Sequence, residues 1–229
     1  MNTQEIRYKQ IQNKLRNRFI GYDTFKMSDI HTIAGIDLAY WTKDNKEYAV
    51  CCIVVLDINT KSILEKQYSF GKVEVPYMPS FLSFRELPLI LKTIQLLKIE
   101  PDIYIFDGNG YLHPRHMGIA THAGILLNKP SIGVAKSRYR IDGINYDMPL
   151  GNSAGSYIDL IKDSEVYGRI LRTKENVKPV YLSIGNMISL ETATNITMQL
   201  LSKESHIPIP TRLADIETHI QRSKMMNKE

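Results

Sequence analysis

Two aspartates stand in apolar segments, where a carboxylate is unexpected unless it does chemistry. Asp37 lies within IAGIDLAY (33–40), and Asp107 ends DIYIFD (102–107). An ionised carboxylate among apolar side chains is costly unless it is paired or bound to a metal. For Asp37 alone, a strand-end residue that bonds a turn is an equally good interpretation. Two such acids at neighbouring strand ends, where parallel sheets bind ligands, are hard to explain by packing.

Two more acids could complete a metal site. Glu86 lies in SFRELP at the start of a predicted helix, and Asp215 lies in PTRLADIETH within the last one. Each has a simpler interpretation: a helix start favours negative charge at Glu86, and Asp215, like Glu217, could lie on a solvated helical face. As a set, carboxylates are the ligands that hard divalent cations prefer. Such ions promote phosphodiester hydrolysis by activating water and stabilising the leaving oxygen.

The elements that position these acids follow from hydrophobic periodicity and turn residues. The first half of the chain predicts an amphipathic helix within residues 2–20, with Ile6, Ile11, Leu15 and Phe19 on one face. It then predicts an antiparallel meander of three strands joined by short turns. The meander is followed by a predicted helix, which Pro88 interrupts near its start. The strands span 33–40, 47–58 and 62–73, and the helix spans 84–98.

The second half alternates strands with helices, which is typical of parallel βαβ units. The polar residues 138–165 predict a loop or a small hairpin insertion. The predicted strands are 102–107, 130–137, 165–171 and 178–185, and the predicted helices are 116–128, 188–202 and 211–223.

This order of elements resembles a ribonuclease H-like fold. We therefore predict an α/β protein with a central mixed sheet, a three-stranded antiparallel meander plus parallel strands, flanked by helices. Residues 1–229 would form one catalytic domain, with residues 1–30 as an N-terminal helical extension. Nucleases of this fold take acids from the first strand, the first crossover helix, the fourth strand and the closing helix. The four acids occur in that order: Asp37, Glu86, Asp107 and Asp215.

Composition limits the function only broadly. Hydrophobic residues make up 43% and charged residues 23% of the chain, which argues against disordered and fibrous classes. The net charge of +5 favours a polyanionic partner only modestly. The N-terminus lacks the apolar core of a signal peptide, and no stretch reaches the ~18 apolar residues of a membrane span. Adjacent Cys51 and Cys52 indicate free thiols on opposite faces of a strand. We expect a soluble, cytoplasmic monomer without a membrane partner.

The longest motif is DGNGYLHPRHMGIATHAGILLNKPSIGVAKSRY (107–139), which closely resembles the central signature of the endonuclease V family. The blocks IAGIDLAY (33–40), VPYMPSFLSFRELP (75–88), SLETA (189–193) and IPIPTRLAD (207–215) resemble the family's other blocks in the expected order. The resemblance implies an endonuclease that nicks the second phosphodiester bond 3′ to deoxyinosine in DNA. Such an enzyme leaves 3′-hydroxyl and 5′-phosphate ends and serves DNA repair.

The resemblance also implies the metal site. Asp37, Glu86 and Asp107 match the family's catalytic metal ligands. Asp215 matches a fourth ligand position, which is His or Asp among relatives. The implied cofactor is Mg²⁺, with Mn²⁺ able to substitute.

Two further catalytic residues are implied in the same way. His113, in the HPR element, matches a His near the cleaved phosphate, and Lys136, in GVAKS, matches a Lys near the active site. The alternatives are that His113 caps its loop and that Lys136 is a surface lysine. One position departs from the family. Relatives often carry Gly-His where this chain has Gly185-Asn186, so any contact of that His with nucleic acid is weakened or replaced here.

The segment PYMP (76–79) matches a wedge loop that enters the helix beside the lesion. Tyr77 lies between two prolines, and a rigid aromatic tip can fill the gap left by an extruded base. A Pro-rich turn with a packed Tyr is the alternative. A lesion pocket would read the O6 and N7 acceptors of hypoxanthine through backbone amides. The implied substrate-binding residues are Pro76, Tyr77, Met78, Pro79, Gly108, Gly110, Leu112 and Gly118.

Two other functions remain open. Inosine-containing RNA could be the main substrate, which ribose 2′-hydroxyl contacts would decide. The chain could also be a nucleic-acid-binding protein that does not cleave. Intact Asp37, Glu86 and Asp107 argue against the second possibility, because a degenerate copy would be expected to have lost at least one.

Overall fold

The computed structural model describes residues 3–227 of the chain. Eight strands form one mixed sheet, in the order β3-β2-β1-β4-β5-β8-β7-β6. The strands are β1 (Thr32–Lys43), β2 (Lys46–Asp57), β3 (Ile63–Lys72), β4 (Ile103–Phe106), β5 (Ser131–Ala135), β6 (Tyr157–Lys162), β7 (Glu165–Leu171) and β8 (Val180–Asn186).

Helices cover both faces of the sheet. They are α1 (Thr3–Arg16), α2 (Leu82–Ile94), α3 (Ile119–Leu127), α4 (Leu190–Gln199) and α5 (Ile209–Met226). One core lies between the sheet and helices α2 and α3, and a second core packs α4 against the sheet's other face. The alternation of side chains along each strand supplies both cores. Within residues 3–227, no helix is long and apolar enough to cross a membrane.

The predicted sheet is confirmed. Strands β1, β2 and β3 form the antiparallel meander, and β4 and β5 continue the sheet parallel to β1. Strand β8 runs antiparallel to β5 and carries β7 and β6 to the far edge. The architecture is the predicted ribonuclease H-like one. Buried Cys51 and Cys52 are free thiols that belong to different apolar clusters, as their opposite directions predicted.

A glycine brings the closing helix onto the first strand. A Cβ atom at Gly35 would lie 2.1 Å from the backbone carbon of Pro210, a distance that no side chain permits. Glycine therefore allows the start of α5 to lie directly against β1. As a consequence, Asp215 is carried towards Asp37, which is two residues beyond Gly35.

Three local predictions differ from the structure. Strand β6 lies inside residues 138–165, predicted as a loop or a small hairpin insertion, and it forms an edge strand of the main sheet by pairing with β7. Helix α2 continues through Pro88, which removes one backbone donor but leaves the rest of the helix intact. The predicted apolar face of α1 is only partly buried. Ile6 is 43% exposed, whereas Gln12 is the buried residue of this helix.

Candidate active site

The structure brings three of the predicted acids together. Asp37 lies on β1, and Asp107 directly follows β4, the parallel neighbour of β1 in which Phe106 is paired with Ile36. The Asp107 amide donates to the Ile36 carbonyl at 3.3 Å. The third acid, Glu86, reaches in from α2. All three carboxylates line one cavity.

Glu86 is held by a neighbour that the sequence did not indicate. The Tyr40 hydroxyl donates a 2.6 Å hydrogen bond to Glu86 Oε1. Burial, and then the charge of Glu86, raises the pKa of Tyr40, so its hydroxyl keeps the proton it donates. The Arg85 guanidinium lies 4.5 Å from the centre of the Tyr40 ring and donates to the Val75 carbonyl at 2.8 Å. Helix α2 is thereby tied to β1 and to the segment before the PYMP loop.

The carboxylates repel one another. Burial, followed by the charge of Asp107, raises the pKa of Asp37 to about 8. Burial also raises the pKa of Glu86 to about 7, although the hydrogen bond from Tyr40 opposes this change. Both effects disfavour the ionised form. The site therefore lacks positive charge relative to its acids.

Lys136 supplies part of that charge. Its Nζ lies 2.6 Å from Asp107 Oδ2 and 3.7 Å from Asp215 Oδ1. Burial by itself would lower the pKa of Lys136, but the contact with Asp107 outweighs it and the pKa is raised. Lys136 thus faces the acids, contrary to the surface-lysine alternative. Asp215 also contacts Arg212 at 2.7 Å and the His219 ring at 3.6 Å.

A metal ion suits this donor set by its chemistry. Three carboxylates in one cavity, two of them with raised pKa values, are the oxygen ligands that Mg²⁺ prefers. Across residues 3–227, however, no three His, Cys, Asp or Glu side chains stand in a ready-made coordination geometry. In the arrangement observed, Asp107 and Asp215 contact the Lys136 ammonium instead.

A second cavity adjoins the acidic one, and Ile119 lines both. The wedge-loop residue Tyr77 lines the second cavity and is 64% exposed. Pro76 and Pro79 are also exposed, and Met78 is half-buried. The exposure of Tyr77 disagrees with the alternative of a packed tyrosine. The remaining lining includes Ser80, Asn109, His113, Gly118 and Tyr139.

His113 lines this second cavity but offers it no free nitrogen. Its Nε2 donates to the Ser80 carbonyl at 3.0 Å, and its Nδ1 accepts from the amides of Arg115 and Met117 at 3.1 and 3.2 Å. Burial, and then the charge of Arg115, lowers the pKa of His113 to about 3. With these contacts in place, the catalytic role of His113 stays a prediction. A neutral ring whose nitrogens both bind backbone groups holds the loop, as the alternative interpretation stated.

The glycine-rich loop after Asp107 is mostly scaffold. The Gly110 amide donates to Ser183 Oγ at 2.8 Å, and the Gly118 amide donates to the Gly110 carbonyl at 3.0 Å. Leu112 is completely buried. A Cβ atom on Gly110 would lie 2.2 Å from the Ile184 carbonyl oxygen. Gly110, Leu112 and Gly118 therefore shape the loop, and the amides of Gly110 and Gly118 are already bonded within the protein.

Asn109 is the polar side chain of this loop that packing leaves unsatisfied. It lines the second cavity next to Gly108, and its buried Oδ1 accepts no hydrogen bond within the described residues. Buried acceptors are normally satisfied, so an unpaired one at a cavity suggests a ligand donor. Nothing in the sequence marks Asn109 as a site residue, because an Asn between two glycines is an ordinary turn residue.

Asn186, at the position where the family resemblance predicts a histidine, is an internal residue. Its Oδ1 accepts from the Ile20 amide at 3.0 Å, and its Nδ2 donates to the Gly124 carbonyl at 3.3 Å. Only 2% of Asn186 is exposed. The side chain links the segment after α1 to α3, so in this arrangement it is not available to nucleic acid.

Comparison with known proteins agrees with this geometry. A family model described as Endonuclease V matches residues 13–216. Endonuclease V of Clostridium acetobutylicum is 55% identical over 218 residues, which cover 95% of this chain and 93% of the relative.

Two solved structures extend the comparison. The crystal structure of endonuclease V from Bacillus subtilis has a TM-score of 0.94 and 48% identity, and the match covers 100% of this chain and 96% of that one. Endonuclease V from Ciona intestinalis, in complex with a 24mer DNA containing an inosine followed by a ribo-adenosine, has a TM-score of 0.88 and 30% identity, with 98% and 100% covered. Sequence and fold thus agree over nearly the whole chain, which belongs to the endonuclease V family of nucleases.

Proposed function

We propose that this protein is a Mg²⁺-dependent endonuclease that recognises deaminated purines, above all inosine, in DNA. It cuts the second phosphodiester bond 3′ to the lesion and leaves 3′-hydroxyl and 5′-phosphate ends, which initiates DNA repair. One observation carries the proposal: a cavity with three carboxylates adjoins a cavity with an exposed aromatic tip, and Ile119 lines both. A single strand can contact both cavities, the base in one and the phosphate in the other.

The metal site would use Asp37, Glu86 and Asp107, with Asp215 as a fourth carboxylate, and Mn²⁺ would substitute for Mg²⁺. The raised pKa values of Asp37 and Glu86 support this assignment, because a divalent ion would supply the missing positive charge. When bound, the ion would activate water and stabilise the leaving oxygen.

The chain's own side chains prepare the site for a phosphate. Lys136 holds its ammonium 2.6 Å from Asp107, where it can neutralise charge that develops on a phosphate oxygen. Asp215 contacts the same ammonium from α5 and limits its movement. Tyr40 fixes the direction of the Glu86 carboxylate by its hydrogen bond. These contacts give each catalytic group a defined position before substrate arrives.

Base recognition would occur in the second cavity. The exposed Tyr77 ring would fill the gap in a duplex when the lesion leaves the stack. The unpaired Oδ1 of Asn109 is an acceptor, and the N1–H of hypoxanthine is a donor. Adenine has an acceptor at N1, so the same oxygen would oppose it. This mismatch of two acceptors offers a physical basis for preferring inosine.

The decisive test is a nicking assay with inosine placed in single-stranded DNA, duplex DNA and RNA, each with Mg²⁺ or with EDTA. Matched strands with adenosine at the same position serve as controls. We expect nicks only with inosine and Mg²⁺, and mapping of the product ends should place the cut directly after the 3′ neighbour of the lesion. Tight binding without nicks under any divalent ion would support the non-cleaving alternative.

The RNA substrate is included in the nicking assay for a specific reason. The DNA bound by the Ciona relative contains a ribo-adenosine directly after the inosine. If this chain cuts inosine-containing RNA faster than DNA of the same sequence, the endoribonuclease interpretation replaces DNA repair as the main activity.

A further inference from the structure

The wedge loop is anchored by one carbonyl group, that of Ser80, which directly follows Pro79. Its oxygen accepts three hydrogen bonds: from Gln12 Nε2 at 3.1 Å, from His113 Nε2 at 3.0 Å and from Arg115 Nη2 at 3.0 Å. A carbonyl oxygen has two lone pairs, so three donors on one such atom are an unusual concentration.

The backbone at Ser80 also needs support. Its φ of +69° lies in the left-handed region, which is unfavourable for a residue with a side chain and persists only where the surroundings fix it. The Ser80 hydroxyl is fixed as well, since it lies 2.5 Å from the Tyr139 hydroxyl. The position of the loop that carries Tyr77 therefore depends on contacts from distant segments.

Gln12 is the most distant of these contacts. It lies on α1 and is completely buried. Its Oε1 accepts from Arg115 Nε at 2.6 Å, and its Nε2 donates to the Met117 carbonyl at 3.3 Å as well as to Ser80. A buried amide is costly unless it is fully hydrogen-bonded, and an apolar residue would pack against α3 without that cost.

We propose that Gln12 is a positioning residue for nucleic-acid recognition. It aligns the Arg115 guanidinium and holds the Ser80 carbonyl, so that the wedge tip Tyr77 is fixed before a duplex arrives. The N-terminal extension is thereby part of the recognition machinery, although no residue of α1 has to touch the lesion. This inference rests on the wedge role of Tyr77 in the proposed function.

The physical consequence is a difference between substrates. A protein whose loop must become ordered during binding has a lower affinity for its ligand, because the conformational entropy of the loop is lost at that moment. Only a duplex requires the wedge, since a single strand leaves no stacking gap. Loss of Gln12 should therefore weaken duplex binding and leave single-strand binding and the chemical step nearly unchanged.

The test uses Gln12→Met, which keeps the length of the side chain and removes its hydrogen bonds. Dissociation constants are measured in Ca²⁺ for inosine in a duplex and in a single strand. We expect binding to weaken about tenfold on the duplex and less than twofold on the single strand. Hydrogen exchange of the amides between residues 77 and 81 should become faster. Equal losses on both substrates, or unchanged exchange in this loop, would overturn the proposal.

Arg18→Met is the matched control. Arg18 Nη2 donates to the Ile125 carbonyl at 3.3 Å, so this change also removes a hydrogen bond between the N-terminal segment and α3, but at a distance from Ser80. We expect a comparable loss of thermal stability without any preference between duplex and single strand. A duplex-specific loss in Arg18→Met would show that general loosening of the N-terminus explains the effect, which contradicts a specific role of Gln12.

Two further variants separate the possible failures. Gln12→Glu keeps an acceptor for Arg115 but loses the donor to Ser80, and it replaces Gln12→Met if that variant does not fold; it should also lose duplex affinity selectively. Tyr77→Ala tests the wedge itself. If Tyr77→Ala weakens duplex binding more than single-strand binding and the Gln12 variants do not, only the role of Gln12 is contradicted. If Tyr77→Ala does not discriminate, the wedge role fails and the positioning role falls with it.

Discussion

The acidic cavity and the region around Ser80 adjoin each other, yet their polar groups are in opposite states. In the acidic cavity, Asp37, Glu86 and Asp107 crowd together, and Lys136 contacts Asp107. Around the Ser80 carbonyl, three donors from two separate segments converge on one acceptor. The first region is electrostatically incomplete, whereas the second is saturated with hydrogen bonds.

This difference matches the two tasks. A metal site gains affinity when its ligands repel one another without the ion, because binding relieves the repulsion. A wedge gains affinity when it is already rigid, because little entropy remains to be lost. A site that binds a charged ligand can therefore be destabilised while it is empty. A site that must match the shape of its ligand binds more tightly when it is already rigid.

The two regions should respond to pH in opposite directions. The raised folded pKa of Asp37, about 8, means that its contribution to stability is full at low pH and is lost as the pH rises towards 8. The pKa of His113 is lowered to about 3 in the folded state. Its contribution is full above the ordinary His range and is lost as the pH falls below about 6.5. The metal-free protein should thus lose stability at each end for a different reason.

The largest effect is expected for Asp107→Ala. Nicking of inosine-containing strands should fall on the order of 10³-fold, which corresponds to ~4 kcal/mol, because this change removes a proposed metal ligand and the partner of Lys136. Affinity in Ca²⁺, measured by gel shift, should be retained, since base and backbone contacts are separable from catalysis. Glu217→Gln is the control, because Glu217 contacts Lys66 at 3.3 Å rather than Lys136. Nicking at the wild-type rate by Asp107→Ala would remove this residue from the catalytic centre.

A smaller effect, on thermal stability, should distinguish the acidic cavity from the hydrogen-bonded region around Ser80. In EDTA at pH 9, Asp37→Asn should unfold at a higher temperature than the wild type by roughly 5 °C, a gain of roughly 2 kcal/mol, because the neutral amide avoids a buried charge. At pH 5 the difference should be much smaller, because Asp37 is then protonated in the folded protein and most of the pH range over which its contribution is lost still lies above. Thermal unfolding measured at both pH values, with and without Mg²⁺, checks this prediction. A stabilisation of the same size at pH 5 would contradict the assigned pKa.

Tyr77→Ala should weaken binding to an inosine duplex by about 10–30-fold, ~1.4–2 kcal/mol, and binding to an inosine single strand much less. The exposed ring can fill a stacking gap that exists only in the duplex. Titration of both substrates in Ca²⁺ measures the difference, and Tyr22→Ala is a control because Tyr22 is equally exposed at 65% and does not line either cavity. Equal losses on both substrates would indicate that Tyr77 only packs.

The smallest effect is expected for Asn109→Ala. The preference for inosine over adenosine, measured as the ratio of kcat/KM values on single strands, should fall about fivefold, ~1 kcal/mol, because the unpaired Oδ1 no longer accepts from the base. Asn128→Ala is the matched control, since Asn128 ends α3 in a left-handed conformation and does not line the cavity. An unchanged ratio in Asn109→Ala would leave base recognition to other groups.

Local sequence was sufficient for most of the elements and for the positions of the acids along them. An apolar strand that contains Asp37 and another that ends in Asp107 indicate where two carboxylates emerge, because strand periodicity depends on neighbouring residues; the parallel pairing that brings the two strands together is a tertiary contact. The blocks around Glu86 and Lys136 indicated the family in the same local way. Such signals can be recognised in a single sequence, because each is contained in a few consecutive residues.

Tertiary structure decided which partners those residues have. His113 lies in a motif that predicts catalysis, yet both its ring nitrogens bind backbone groups brought in by the fold. Gln12 lies on the polar side of the predicted helix, yet it is buried because α1 packs across Ser80, 68 residues away in sequence. Asp215 meets Lys136 because Gly35 lets α5 approach β1 closely. Each outcome depends on hydrogen bonds and packing between distant segments, and periodicity within any one segment carries no information about them.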